Sequence, residues 1–106
     1  MTNETNELIL TLRIKEPFFT QIKEGAQKSE LRSFTEYYIN RICTIDKKTD
    51  QISGFKPLTH VLLINGYAKN SPRLKKLITG IFINEYHDNI PEGLMKGDLL
   101  FEIELE

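Results

Sequence analysis

The sequence predicts a small α+β domain, mainly β, in which about five to six strands curl into a barrel that carries two short helices. Apolar and polar residues alternate in 8–14 and in 99–106, and a continuous apolar, β-branched run occupies 60–64. Both patterns are typical of strands, whereas the two segments with helical spacing lie in the first half of the chain. A curled sheet would best bury these apolar faces, although a flatter α+β sandwich fits the same pattern.

The composition is that of one globular domain. The chain has 106 residues, of which 40% are hydrophobic and 27% charged. We expect a single domain over residues 1–106, with residues 1–7 as a flexible N-terminal segment. No apolar run approaches the roughly 20 residues of a membrane helix, and the polar, acidic start MTNETNE is unlike a signal peptide. We therefore expect a cytoplasmic protein with no membrane partner.

The first strand and the first helix follow from residue spacing. Residues 8–14 place three leucines and an isoleucine on one side and Thr11 and Arg13 on the other, as in a half-buried strand. Pro17 suits the first turn of a helix, and Gly25 suits a left-handed stop. A short helix is therefore predicted from about residue 16 to residue 24.

A brief charged strand and a second helix are predicted next. In KSELR, residues 28–32, the three charged side chains share one strand face. Ser33 and Glu36 have the spacing of a capping box, and apolar residues recur at helical intervals after them. The following segment, 46–57, is polar and contains a glycine and a proline, which predicts a loop.

The second half of the chain is predicted to be β. The run 60–64 is typical of a central strand and ends at an Asn-Gly turn. A long strand spans roughly 74–86, and Gly80 inside it indicates a bend or bulge. A Gly-Asp turn at 97–98 leads into the final strand, where glutamates alternate with apolar residues and form an acidic, exposed face.

The distribution of charge is uneven. The formal net charge is −1, which argues against an indiscriminate polyanion binder. Between Arg13 and Lys76, however, 13 Lys or Arg face only 6 Asp or Glu. These cations could receive phosphates if they gather on one face, or they could form a mixed, solvated surface.

The N-terminal third resembles a known signature. The segment LTLRIKEPFFTQIKEGAQKSELR resembles the opening of ASCH domains: a strand, a lysine-bearing turn, an aromatic helix ending in glycine, and a charged strand of the form G-x-x-K-x-E-x-R. The matching residues are Gly25, Lys28, Glu30 and Arg32. The tract EYYINRI is similar to the aromatic-rich helix that follows the arginine in a phage- and bacteria-associated branch of these domains.

A second block resembles the same branch. VLLINGYAKNSP is similar to a strand and turn carrying N-G-Y-x-K-x-x-P, with matches at Asn65, Gly66, Tyr67, Lys69 and Pro72. Together with the final strand, the resemblance covers nearly the whole chain. It implies a PUA-like barrel with a basic and polar cleft beside the first helix, and RNA or nucleotide recognition.

The charged strand supplies the first candidate binding residues. Lys28 and Arg32 can meet phosphate or base acceptors, and Glu30 can accept a hydrogen bond from a base amino group. Alternatively, Glu30 and Arg32 lie two residues apart on one strand face and form only a surface ion pair.

The second block supplies the others. Asn65 and Gly66 form a turn with exposed amides, Tyr67 offers a ring for stacking on a base, and Lys69 adds a charge. Alternatively, the Asn-Gly pair is only a turn and Tyr67 packs on the barrel. Three weaker candidates extend the basic set: Lys15, Arg41 and Arg73.

An enzymatic function is less well supported by the sequence. One ASCH branch hydrolyses acylated cytidine with a lysine and a threonine in the segment that corresponds to 25–32, together with a glutamate further along. Here Gln27 and Glu30 occupy the lysine and threonine positions, and glutamine cannot act as a general base or an activated amine. A rearranged pair, Lys28 and Glu30, keeps an amidohydrolase as an alternative.

The expected ligand is RNA or a nucleotide, with DNA possible, and no cofactor or metal is expected. His60 and His87 have no recognisable partner, and the single cysteine, Cys43, is expected to be a buried thiol. A second alternative is a protein-interaction module that uses the acidic final strand or the tyrosine-bearing helix.

Overall fold

The structure, a computed structural model, describes residues 7–87 and 95–106. Strands predominate in these ranges and two helices accompany them, which confirms the predicted α+β, mainly β, fold class. Residues 1–6 of the expected flexible N terminus lie outside the described ranges. The elements are β1 (Ile9–Arg13), α1 (Phe18–Lys23), β2 (Ser29–Ser33), α2 (Glu36–Ile42), β3 (Cys43–Asp46), β4 (Gln51–Phe55), β5 (His60–Ile64), β6 (Arg73–Glu85) and β7 (Leu99–Leu105).

Five strands form one curled sheet, a half-barrel, in the order β1-β5-β6-β7-β2. β1 pairs with β5 in parallel, and the other three pairings are antiparallel. β5 is therefore an inner strand, as predicted for residues 60–64. β1 and β2 are the two edges of the sheet, and the side chains between these edges build the site described below.

The core lies against the inner face of this sheet. Alternation places Leu10 and Leu12 of β1 inside, and Phe101 and Ile103 of β7 inside, as their spacing predicts. Cys43 is buried too, and burial raises the pKa of its thiol. The core residues are Leu10, Leu12, Ile14, Phe19, Ile22, Ile42, Cys43, Val61, Leu63, Phe101, Ile103 and Leu105.

Gly80 marks a change of register in the long strand β6. The pairing of β6 with β7 shifts between Ile78 and Gly80. A Cβ atom at Gly80 would lie only 2.8 Å from the ring of Phe82, closer than side chains tolerate. The predicted irregularity at this glycine is confirmed as a bulge-type change of register, and the lack of a side chain leaves room for the ring of Phe82.

Two local predictions are wrong. The N-cap of α2 is Thr35 rather than Ser33: the Thr35 hydroxyl accepts from the amide of Tyr38 at 3.5 Å. Ser33 is instead the last residue of β2 and pairs with Leu100. The strand pairing overrides the capping-box spacing, because Ser33 is held in the sheet ladder and α2 begins only at Glu36, three residues later.

The prediction of a loop for segment 46–57 is wrong, because the segment contains a tight turn and most of a β-hairpin. β3 and β4 pair antiparallel, with Ile45 opposite Ile52. The turn is closed by the amide of Asp50, which donates to the carbonyl of Asp46 at 2.7 Å, and by the left-handed backbone of Asp50 at φ 61°. The polar composition reflects exposure of this hairpin rather than lack of structure.

Within the two described ranges, no helix has the length and apolar character needed to cross a membrane.

The inner strand gives a direct test of the fold. Leu63 is fully buried in β5, whereas Leu77 on the neighbouring strand β6 is 41% exposed. Leu63→Ala is expected to lower the free energy of unfolding by about 2–5 kcal/mol, because it leaves a cavity in the core. Leu77→Ala, the matched control, should cost less than about 1 kcal/mol in urea denaturation. Equal effects would contradict this packing.

Candidate functional site

Arg32 links the two edges of the half-barrel. Its Nη2 atom, on β2, donates to the backbone carbonyl of Arg13 on β1 at 2.9 Å. Its Nη1 atom donates to the hydroxyl of Tyr38 on α2 at 3.0 Å, and Nε donates to Glu30 at 3.0 Å. With a second bond from Nη2 to Glu30, most of the five N–H groups of the guanidinium are used. Arg32 therefore joins β1, β2 and α2.

Glu30 is held behind Arg32 rather than presented to a ligand. The side chains of Arg32 and Glu30 are only 15% and 11% exposed, so the two form a largely buried ion pair rather than a surface one. The other carboxylate oxygen of Glu30 is 3.5 Å from the amide nitrogen of Gln27. Burial raises the pKa of Glu30, while the charge and hydrogen bonds of Arg32 act in the opposite direction. Its carboxylate is thus committed to internal contacts.

A cleft of about 350 Å³ lies at the β1 edge, beside Arg32. It is formed by β1, β2, α2 and the turn after β5. The cleft lies beside the second helix, and α1 contributes none of its lining residues, unlike the arrangement that the family resemblance implies. The lining residues are Thr11, Leu12, Arg13, Arg32, Tyr37, Tyr38, Arg41 and Tyr67.

Arginines and tyrosines in the cleft are paired. The guanidinium carbon of Arg13 lies 4.8 Å from the centre of the Tyr67 ring. The corresponding distances are 5.7 Å from Arg32 to Tyr38 and 5.3 Å from Arg41 to Tyr37. Each cation thus lies within the range of a cation–π interaction, which orients the guanidinium without neutralising it.

The cleft carries uncompensated positive charge. Arg32 is paired with Glu30, but within residues 7–87 and 95–106 no carboxylate lies within 4.0 Å of Arg13 or Arg41. Arg41 donates from Nη2 to the carbonyl of Thr11 at 3.1 Å, and its buried Nε atom has no partner among the described residues. Nε is shielded from solvent, but Arg41 retains donors on its Nη atoms that a ligand or water can satisfy.

The structure brings only some of the predicted site residues into this cleft. Arg32 and Tyr67 line it, and so does the weaker candidate Arg41. Tyr67 is 85% exposed, so it does not pack into the barrel core. Five cationic or acidic candidates lie outside the lining: Lys15, Lys28, Glu30, Lys69 and Arg73.

Asn65 and Gly66 position the turn that carries Tyr67. Asn65 donates to Glu16 at 2.9 Å, and the carbonyl of Gly66 accepts from Arg13. Gly66 has φ 115°, and a Cβ atom there would lie 3.1 Å from the Ser71 hydroxyl. Through these contacts, Asn65 and Gly66 hold the turn in place.

The sequence interpretation missed several lining residues. The sequence places Arg13 on the polar face of β1 and Tyr37 and Tyr38 in the aromatic-rich helix of the protein-interaction alternative, but it does not make them nucleic-acid-binding candidates. The sequence signals for them are separate: the polar face of 8–14, which carries Thr11 and Arg13, and the aromatic pair followed by an arginine in EYYINR. What places them together is the pairing order of the strands, which spacing does not reveal.

The histidines lie outside the cleft. His60 contacts the Thr59 hydroxyl at 2.8 Å and lies 3.8 Å from Glu7, and His87 lies 3.2 Å from Glu85. Among the residues that the structure describes, no three His, Cys, Asp or Glu side chains come together as a metal-binding group.

Comparisons with known protein families, with curated proteins and with solved structures find no significant match.

The link made by Arg32 can be tested by removing its charge. Arg32→Gln leaves Glu30 buried without its cation, and we expect a loss of about 3–5 kcal/mol in the free energy of unfolding. The control is Lys75→Gln, which removes the exposed ion pair between Lys75 and Glu7 and should leave the melting temperature nearly unchanged. Similar melting curves for the two variants would contradict the role of Arg32.

Proposed function

We propose that the cleft binds a nucleotide or a short single-stranded nucleic acid, with RNA as the expected ligand and DNA as a possible one. The observation that carries this proposal is the set of three arginine–tyrosine pairs around one cleft of about 350 Å³. A volume of this size lies at the lower end for small-ligand sites. It favours recognition of one nucleotide unit at a time.

The chemistry of the lining suits both parts of a nucleotide. Arg13 and Arg41 offer planar guanidinium forks that can bind phosphate oxygens in a bidentate manner. Tyr67 offers an exposed ring, and every nucleobase has a π-face that can stack on such a ring. A base can therefore stack near Tyr67 while its phosphate meets an arginine.

We also propose kinship with the ASCH domains. Support comes from the order of elements, because the G-x-x-K-x-E-x-R segment runs from the end of α1 through β2 and the aromatic tract forms α2. The proposed binding set shifts toward α2 relative to what that resemblance implies. Lys28 and Lys69 would then contact a ligand only where it extends beyond the cleft.

Binding is favoured over hydrolysis by the surroundings of Glu30. A general base needs a carboxylate within reach of the reacting water or hydroxyl. Glu30 is bound by Arg32 and Gln27, and Lys28 is exposed outside the lining.

Incubation with acylated cytidine, followed by chromatography, should show no deacylation. Turnover that is lost in Glu30→Gln would instead favour the amidohydrolase alternative.

The binding proposal is tested through Tyr67. Fluorescence polarisation with labelled single-stranded RNA and DNA of a few nucleotides, at two salt concentrations, should show binding that weakens with salt. Tyr67→Ala should reduce the affinity by about 5- to 100-fold, which corresponds to the loss of one stacked base. Because Tyr67 is exposed, its replacement by alanine should not unfold the domain, and a lower affinity would therefore report on the cleft.

The matched control is Phe82→Ala, which removes another exposed aromatic ring, on β6 outside the cleft lining. It should leave the affinity unchanged. If Tyr67→Ala binds as tightly as the wild type, or if both variants lose affinity equally, the cleft is not the binding site. If the immobilised domain retains a protein but no nucleic acid, the protein-interaction alternative is favoured.

A further inference from the structure

The edge of β1 that faces the cleft has backbone groups without a strand partner. The amide of Ile14 donates to Ile64 of β5, and the carbonyl of Leu8 accepts from the amide of Thr59, so even-numbered residues of this segment face β5. In a strand, the N–H and C=O groups of one residue point to the same side, and that side alternates along the chain. Thr11 and Arg13 therefore direct their N–H and C=O groups to the open edge.

The carbonyls of Thr11 and Arg13 at this edge are already bonded. Arg41 donates to the carbonyl of Thr11 at 3.1 Å, and Arg32 donates to the carbonyl of Arg13 at 2.9 Å. The amides of Thr11 and Arg13 have no hydrogen-bond acceptor among residues 7–87 and 95–106. At Thr11 and Arg13 the open edge thus presents amide donors, while the carbonyls of these two residues are already bonded.

The position at Thr11 and Arg41 differs in its charge balance from the position at Arg13 and Arg32. The amide of Arg13 lies beside the guanidinium of Arg32, whose charge is balanced by Glu30. The guanidinium of Arg41 donates to the carbonyl of Thr11 and has no carboxylate partner among the described residues, so the Thr11 amide, on the same side of the strand, lies near an unbalanced charge. The stronger anion position is therefore at Thr11 and Arg41.

We propose that the backbone amide of Thr11 and the guanidinium of Arg41 together form a phosphate-binding position, so that the ligand of the cleft is a nucleoside that carries a phosphate group. This inference rests on the proposed function. The charged oxygens of a phosphate accept hydrogen bonds, and at Thr11 the edge offers an amide donor beside the donors of Arg41, while the Thr11 carbonyl is already bonded. The base stacks on a tyrosine ring, and this contact does not depend on the hydrogen-bonding groups at the edge of the base. We therefore expect the site to accept different bases.

The test compares ligands that differ only in phosphate. Calorimetric titration of wild-type protein uses cytidine and adenosine, their 5′-monophosphates, and a dinucleoside monophosphate that carries one internal phosphodiester. We expect the monophosphates to bind about 10- to 100-fold more tightly than the nucleosides, with little difference between the two bases, as expected for charge-assisted hydrogen bonds. Inorganic phosphate should compete with them.

A second measurement locates the phosphate. In amide NMR spectra of the wild-type protein, addition of a monophosphate should shift the Thr11 amide proton downfield, and inorganic phosphate should shift the same signal. Arg41→Gln should lose most of the preference for monophosphate over nucleoside, whereas the control Lys75→Gln should keep it. Thermal melting establishes that Arg41→Gln remains folded, and the wild-type spectra test the position even if it does not.

The outcomes separate this inference from the proposed function. Equal affinity for nucleosides and monophosphates, or an unmoved Thr11 amide, overturns the phosphate position while nucleotide-type binding stands. No binding of any nucleoside, nucleotide or strand overturns both. If the position holds, equal affinity for the dinucleoside monophosphate identifies an internal phosphate of a strand, and preference for the monophosphates identifies a free nucleotide or a terminal phosphate.

Discussion

The buried pair of Arg32 and Glu30 is the interaction on which the site depends. A buried guanidinium is costly unless its charge is paired and its N–H groups are bonded, and here Glu30, Tyr38 and the carbonyl of Arg13 meet both needs. Because these partners come from β2, α2 and β1, one side chain sets the relative positions of three elements. The cleft exists because the half-barrel is open at this point and Arg32 spans the opening.

The ion pair of Arg32 and Glu30 also decides which positive charges are available to a ligand. Glu30 balances Arg32, so the positive charge that a ligand can use lies on Arg13 and Arg41. An open sheet edge is usually a liability, since its unpaired backbone groups can recruit another strand. In this protein arginine side chains bond the carbonyls of Thr11 and Arg13 on the β1 edge, which obstructs strand addition there and concentrates donors in the cleft. Protection of the edge and the proposed anion recognition thus use the same residues.

The elements that depend on local pattern were predictable. Strict alternation in β1 and β7 identified their inner faces, the β-branched run identified β5, and Gly80 identified the bend in β6. The hairpin of β3 and β4 was missed because its side chains are largely exposed, and exposed strands lack the apolar alternation that burial imposes. The cap of α2 was misplaced because Ser33 is engaged by the sheet ladder, a contact made with a residue far along the chain.

The sequence by itself determined the fold class, most strands, the buried thiol of Cys43 and the concentration of basic residues in the middle of the chain. Only the tertiary structure decided which of those basic residues share a cleft. Arg13, Arg32 and Arg41 belong to three elements, and their meeting follows from the order β1-β5-β6-β7-β2, which leaves β1 and β2 as the two edges. Periodicity reports which face of an element is buried. It carries no information about which elements become neighbours, because that choice depends on packing between residues distant in the chain.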